Sequence, residues 1–182
     1  LLRHARVLLP AGLCYGASDV PADGSLTASA AQAIAPLLPP GAPVRVSDLG
    51  RALQMHRALL EERSDLGDAR TDPRIREMDF GSWELQRWDA VPRAAFDAWM
   101  ADFAHHRFGG SESVDQLITR VADAIDDTRA AAGSDGAALW ITHAGVIRSA
   151  LYLAQHGRRP IAAATEWPKD APDTGGWLVL DV

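Results

Sequence analysis

The pattern that most constrains this chain is a recurring junction at which a short apolar run stops at a polar, chemically capable residue and an amphipathic helix follows at once. The clearest case is residues 137–142, a buried-strand pattern that meets His143-Ala144-Gly145 and then a helical pattern over residues 146–155. The same form opens the chain, where Leu1-Leu2-Arg3 reads as the end of a buried strand and meets His4. It recurs after the alternating stretch Val44-Arg45-Val46-Ser47, because Ala52, Met55, Leu59 and Leu60 share one face of a helix over residues 51–62 with Arg51 in its first turn.

Between these junctions the pattern is equally segmented. Residues 5–25, with Pro10, Gly12, Gly16, Pro21 and Gly24, read as a long irregular loop. Residues 26–38 form an alanine-rich helix with Thr27 as its N-cap, stopped by Pro39-Pro40-Gly41. Residues 71–89 have no clean period, and a helix runs from Pro92 to about Phe103, so that residues 71–112 form a helical insertion above the sheet. Ser113 and Gln116 make a capping box for a helix reaching Ala132, with Gly133 as its stop, and residues 177–180 read as a closing strand. Strands that alternate with helices imply a mainly parallel sheet covered on both faces: an α/β fold of three layers, α/β/α, in one domain spanning residues 1–182.

In an open parallel sheet the residues that follow different strands share one rim, so His4, Arg51 and His143 are expected to converge, with Glu77 supplied by the insertion. Paired histidines and arginines without metal-ligand spacing suit phosphoryl transfer, so neither a metal nor another cofactor is expected. Guanidinium groups match phosphoryl oxygens by bidentate hydrogen bonding, a role that Arg3 and Arg51 fit. A neutral imidazole on His4 can attack phosphorus to give a phosphohistidine that water then resolves. The leaving alkoxide needs a proton, which a suitably placed carboxylic acid can supply; Glu77 is the first candidate and Glu84 the alternative. The helix amides after Ala144-Gly145 would stabilise charge on the phosphoryl oxygens, with Ala144 among the phosphate-binding residues and Gly145 permitting close approach.

These segments resemble those of the histidine phosphatase superfamily, the phosphoglycerate mutase-like fold. Arg3-His4-Ala5 is similar to its Arg-His-Gly motif, and residues 47–54 to Ser-Pro-Leu-x-Arg-Ala-x-Gln. Residues 77–84 are similar to Glu-x-x-Phe-Gly-x-Trp-Glu, and residues 142–148 to Ser-His-Gly-Gly-x-x-Arg. The resemblance implies His4 as the phosphorylated nucleophile, Glu77 as proton donor, and Arg3, Arg51 and His143 as the phosphate pocket. Residues 12–21 and 109–113 further resemble the bacterial alpha-ribazole phosphatase branch. The mutase branch usually carries a longer insertion, so hydrolysis of a small phosphorylated metabolite is the expectation. Two rivals are a phosphohistidine-protein phosphatase and a non-catalytic phosphometabolite sensor. The second is motivated by Ala5 and Ala144 where glycine is usual and by Asp48 where proline is usual. Asp48 could orient Arg51 or compete with phosphate for it.

The formal net charge of −6 argues against broad attraction to nucleic acid or anionic lipid, and no apolar run is long enough for a membrane helix. A single cysteine, Cys14, without a partner fits a reducing compartment, so a cytoplasmic location is expected. Trp83, Trp88, Phe96 and Trp99 are expected to pack the insertion, and His105-His106-Arg107 to form a solvated helix end.

Overall fold

The computed structural model describes residues 1–67, 69–132 and 136–181. Its sheet has four strands: β1 (Leu2–Arg3), β2 (Val44–Val46), β3 (Arg70–Thr71) and β4 (Leu139–Thr142), in the order β1-β4-β2-β3. Every pairing is parallel. Around it lie α1 (Gly24–Ile34), α2 (Gly50–Glu62), α3 (Arg93–Ala101), α4 (Val114–Ala132) and α5 (Ala144–His156).

The two-residue period of β4 divides the core. Leu139 and Ile141 pack with Val44, Val46, Ile34, Met55 and Leu59, on the side of α1 and α2. Trp140 faces the other way and packs with Leu117, Val121, Val146 and Tyr152, on the side of α4 and α5. The expected parallel α/β arrangement with flanking helices is therefore present. A strand buried on both faces has no polar alternation, which is why residues 137–141 read as a continuous apolar run before Thr142.

Local differences from the sequence reading have physical causes. α1 begins earlier than expected because Asp23, not Thr27, is its cap: Asp23 Oδ1 accepts from the amides of Ser25 and Leu26, both at 3.0 Å. Thr27 is buried one turn in, and its hydroxyl bonds back to the Asp23 carbonyl at 2.7 Å. Residues 35–37 continue α1 as a 3₁₀ turn. The Ser113–Gln116 capping box forms as expected, at 3.1 and 3.3 Å. The Gly133 stop lies outside the described residues. β3 is absent from the sequence pattern: it is two exposed, polar residues paired with β2, with no apolar run to announce it. Residues 177–180 do not form a strand of the sheet. They run beside β1 as an isolated antiparallel bridge between Leu2 and Trp177, flanked by hydrogen bonds between Leu1 and Leu178. With β1 only two residues long, there is little ladder for them to extend.

The insertion is held together by its aromatic side chains. Phe108 is completely buried and packs against Trp99 at 4.5 Å and Phe96 at 5.3 Å between ring centroids, with Phe80, Trp83 and Trp88 around it. Its two ends are tied where Gly81 and Gly109 cross: both have positive φ, and a Cβ on either would strike the other segment's backbone. His105 is exposed in the turn after α3, as expected of a solvated helix end. Among the described residues, no helix is long and apolar enough to cross a membrane.

Candidate active site

The strand order sets three chemical groups side by side. His4 follows β1, His143 follows β4 and Ser47 follows β2, and these strands are neighbours in that sequence. The backbone fixes them further, because the amides of His4 and Ser47 donate to the β4 carbonyls of Thr142 and Ile141 at 3.1 and 3.0 Å. The two imidazoles meet with ring centroids 5.0 Å apart. Arg51, fully buried in the first turn of α2, brings its Nε within 3.3 Å of His4 Nε2. His4, Arg51 and His143 thus converge as expected.

His4 is held in a defined state. Its Nδ1 lies 2.7 Å from the Ala5 carbonyl, an acceptor only, so Nδ1 carries the proton and the unprotonated Nε2 accepts from Arg51 Nε at 3.3 Å. Burial is the main reason that its pKa falls to about 3; the charge of Arg51 adds to this, the bond to Ala5 opposes it, and Arg3 contributes a smaller push. At neutral pH the ring is uncharged, the form a nucleophile needs. His143 is completely buried and its Nε2 lies 2.8 Å from the Ser47 hydroxyl. Burial, followed by repulsion from His4 when that ring is protonated and by the charges of Arg51, Arg120 and Arg3, holds it well below the ordinary histidine range.

Arg51 does not pair with Asp48. Its guanidinium donates to the carbonyls of Ser18 at 2.8 Å and Gly16 at 2.6 Å, while Asp48 pairs with Arg76. Neither proposed relation of Asp48 to Arg51 therefore holds. The other arginine, Arg3, donates to the Pro172 carbonyl at 2.9 Å, and its Nε is buried without a partner.

Glu77 and Glu84 separate clearly. Both oxygens of Glu77 lie 3.1 Å from the Gly145 amide, and Oε1 also accepts from Met78 at 3.0 Å, so the carboxylate rests at the N-terminus of α5, two residues from His143. It occupies the Gly145 amide. The first amides of a helix lack intrahelical acceptors, so Ala144 retains the one nearest His143. Glu84 instead accepts from the amides of Gly16, Ala17, Ser18 and Phe80 and from the Ser18 hydroxyl. That carboxylate is surrounded by donors and ties the loop to the insertion.

Sequence reasoning gave no role to Ser47, although it stands inside a motif segment. It also missed Arg120 of α4, whose guanidinium binds the carbonyls of Arg74, Arg76 and Glu77 while pairing with Glu112. That contact, with the bond from Thr142 Oγ1 to the Ile75 carbonyl at 2.6 Å, fixes the backbone that presents Glu77. Ala5 and Ala144 sit at ordinary negative φ, since Leu85 is the one non-glycine residue with positive φ among the described residues. Their methyl groups impose no backbone strain. Cys14 is buried, and burial together with the charge of Glu84 pushes its thiol up to about 12, so it is packed and inert. Among the described residues, no three His, Cys, Asp or Glu side chains gather as metal ligands would.

The family model described as "Histidine phosphatase superfamily (branch 1)" matches residues 1–173. No curated protein matches the sequence. Among solved structures, the chain is similar to a mycobacterial glucosyl-3-phosphoglycerate phosphatase, with 25% identity and a TM-score of 0.70, covering 86% of this chain and 79% of that one. The same mycobacterial phosphatase in complex with VO3 gives a TM-score of 0.76 at 22% identity over 96% of this chain and 86% of that one, a likeness of fold. The TTHB049 protein of Thermus thermophilus is similar at 25% identity and a TM-score of 0.64, covering 85% of this chain and 82% of that one.

Proposed function

Because the chain belongs to the histidine phosphatase superfamily, we propose that it hydrolyses a small phosphorylated metabolite through a phosphohistidine formed on His4. The observation that carries this reading is the state of His4: Nδ1 committed to the Ala5 carbonyl, and Nε2 unprotonated beside Arg51. In the first step, Nε2 forms a bond to phosphorus as the bond from phosphorus to the ester oxygen breaks, and Glu77 gives its proton to the departing alkoxide. In the second, water attacks the phosphorus, Glu77 takes the proton from that water, and the P–N bond breaks to release phosphate and His4. Arg3, Arg51, His143 and the Ala144 amide are the groups assigned to the phosphoryl oxygens, where charge is spread in the transition state.

The alpha-ribazole branch has no support from the relatives described above. The segments that suggested it are engaged in packing: Gly16 lies against Met78 and Phe80, and Gly109 against Phe80 and Trp83. They bear on how the loop meets the insertion rather than on the substrate. The sensor alternative loses its motive, because Ala5 and Ala144 are free of strain and Asp48 is paired elsewhere. A cavity of about 270 Å³ beside Glu77 favours a compact ester over a phosphorylated protein.

The test is acid-quench trapping with a ³²P-labelled aryl phosphate. The native chain is expected to carry acid-labile label on His4, whereas folded His4→Ala is expected to show neither label nor turnover. Turnover by that variant at the native rate overturns the nucleophile assignment. A panel that includes alpha-ribazole 5′-phosphate and glucosyl-3-phosphoglycerate then ranks the natural ester.

A further inference from the structure

The cavity beside Glu77 has a composition that selects its occupant. Phe80, Trp99 and Phe103 of the insertion and Trp167, from the segment after α5, form its walls, and Glu77, Ala144 and Gly145, which neighbour His143 through the start of α5, also line it. Trp99 and Phe103 stack at 5.6 Å, and Phe103 meets Trp167 edge-on at 6.0 Å, so the walls are flat and apolar. One cation, Arg148 of α5, also lines it. Arg76 and Arg120 nearby are paired with Asp48 and Glu112. Arg148, by contrast, has no ion pair among the described residues, and its Nε is buried without a hydrogen-bond partner. Trp99 Nε1, in the same lining, is likewise buried and unpartnered.

A half-buried guanidinium without a carboxylate, set among aromatic rings, leaves donors unsatisfied at a cost that a suitable ligand removes. Among the described residues, the only acid in the lining is Glu77, already engaged by the amides of Gly145 and Met78. The complement to this cavity is therefore an acceptor; a guanidinium matches carboxylate and phosphate alike, and between flat apolar walls the planar, singly charged carboxylate costs less to desolvate than a second phosphate. The size excludes a large group, since 270 Å³ is just below the usual range of about 300–1,000 Å³ for small-molecule pockets.

We propose that this cavity is the leaving-group subsite, and that Arg148 selects phosphate esters whose leaving group is a flat, apolar body bearing a carboxylate. The assignment rests on the phosphatase reading above. Arg148 binds the carboxylate, the aromatic walls hold the body, and the ester oxygen faces Glu77.

The experiment compares kcat/KM for 3-carboxyphenyl phosphate and for phenyl phosphate in the native chain, Arg148→Met and Arg148→Lys. Because each ratio is taken between the same two esters, intrinsic leaving-group reactivity cancels between enzymes. One charge-assisted contact is worth roughly 1.5–3 kcal/mol, so the ratio is expected to fall at least about tenfold in Arg148→Met and less in Arg148→Lys, which keeps the charge. A general loosening of α5 would lower both rates and leave the ratio unchanged, and an unchanged ratio overturns the subsite. If Arg148→Met does not fold, the same criterion applies to Arg148→Lys, where loss of the bidentate fork still lowers the ratio. Absence of turnover on either ester by the native chain, with His4 unlabelled, overturns the phosphatase reading itself.

Discussion

Replacing Glu84 by Gln removes one charge and one acceptor from a carboxylate that faces only donors. Oε1 accepts from the amides of Ala17 at 2.9 Å and Phe80 at 3.0 Å, and Oε2 accepts from the amides of Gly16 and Ser18 and the Ser18 hydroxyl. A carboxamide keeps a single acceptor oxygen and adds an NH₂. Whichever way it is turned, at least two backbone N–H groups lose their acceptor and meet a donor instead. Hydrogen bonds to a charged acceptor contribute roughly 1.5–3 kcal/mol each; with Glu84 half-buried, the low end applies, giving about 3 kcal/mol for two. For a domain of this size that corresponds to a fall of about 1.5 M in the urea midpoint, taking a slope of about 2 kcal/mol/M. Activity should fall as well, because Glu84 holds the loop whose Gly16 and Ser18 carbonyls position Arg51. That loss should be alike for p-nitrophenyl phosphate and an alkyl phosphate, since no proton transfer is involved. An unchanged urea midpoint refutes the anchoring argument, and a loss confined to the alkyl ester returns Glu84 to the role of proton donor.

Glu77→Gln should behave in the opposite way, with a large loss of kcat on alkyl phosphates and a small one on p-nitrophenyl phosphate, whose leaving group needs little protonation. Equal losses on the two would remove Glu77 from that role. His4 makes stability depend on pH: its folded pKa of about 3 lies below the unfolded value of 6.5, so between these values the unfolded state binds more protons and stability drops as pH falls. Denaturant titrations from pH 4 to pH 6 should show a slope smaller by up to about 1.4 kcal/mol per pH unit in His4→Gln than in the native chain. An identical slope would mean that His4 is not buried in its neutral form. Ala5→Gly, the exchange that restores the usual family residue, should lower stability by about 0.4–1 kcal/mol without raising kcat, because the backbone there has no need of positive φ. A gain in rate would show that the methyl group obstructs the pocket.

The parts of this site that were legible in the sequence are those fixed by strand ends. Residues 137–141 announce a strand by being apolar throughout, and a parallel sheet then forces His143 onto the rim shared with His4 and the start of α2. What stayed hidden depends on contacts between distant positions. Asp48 stands three residues before Arg51 yet pairs with Arg76, because Arg51 turns inward to the loop carbonyls. Arg120 has the look of an ordinary helix-surface arginine, and only the packing of α4 beneath the insertion turns it onto the carbonyls before Glu77. The roles of Glu77 and Glu84 could not be told apart from spacing, since what separates them is which backbone amides surround each carboxylate.

The joint between the loop and the insertion bears on how such a domain can be re-engineered. Gly16 has no room for a side chain against the Met78 carbonyl, and Leu13 pairs with Arg87 across the same seam. A graft that exchanged residues 71–112 alone for those of a relative would import walls shaped for a new ester but meet a mismatched seam. The resulting slack would be felt at Arg51 before it reached the new walls. The exchangeable cassette is therefore discontinuous, residues 12–21 together with residues 71–112, and chimaeras cut at those four points should keep a working phosphate site while their ester preference moves with the graft.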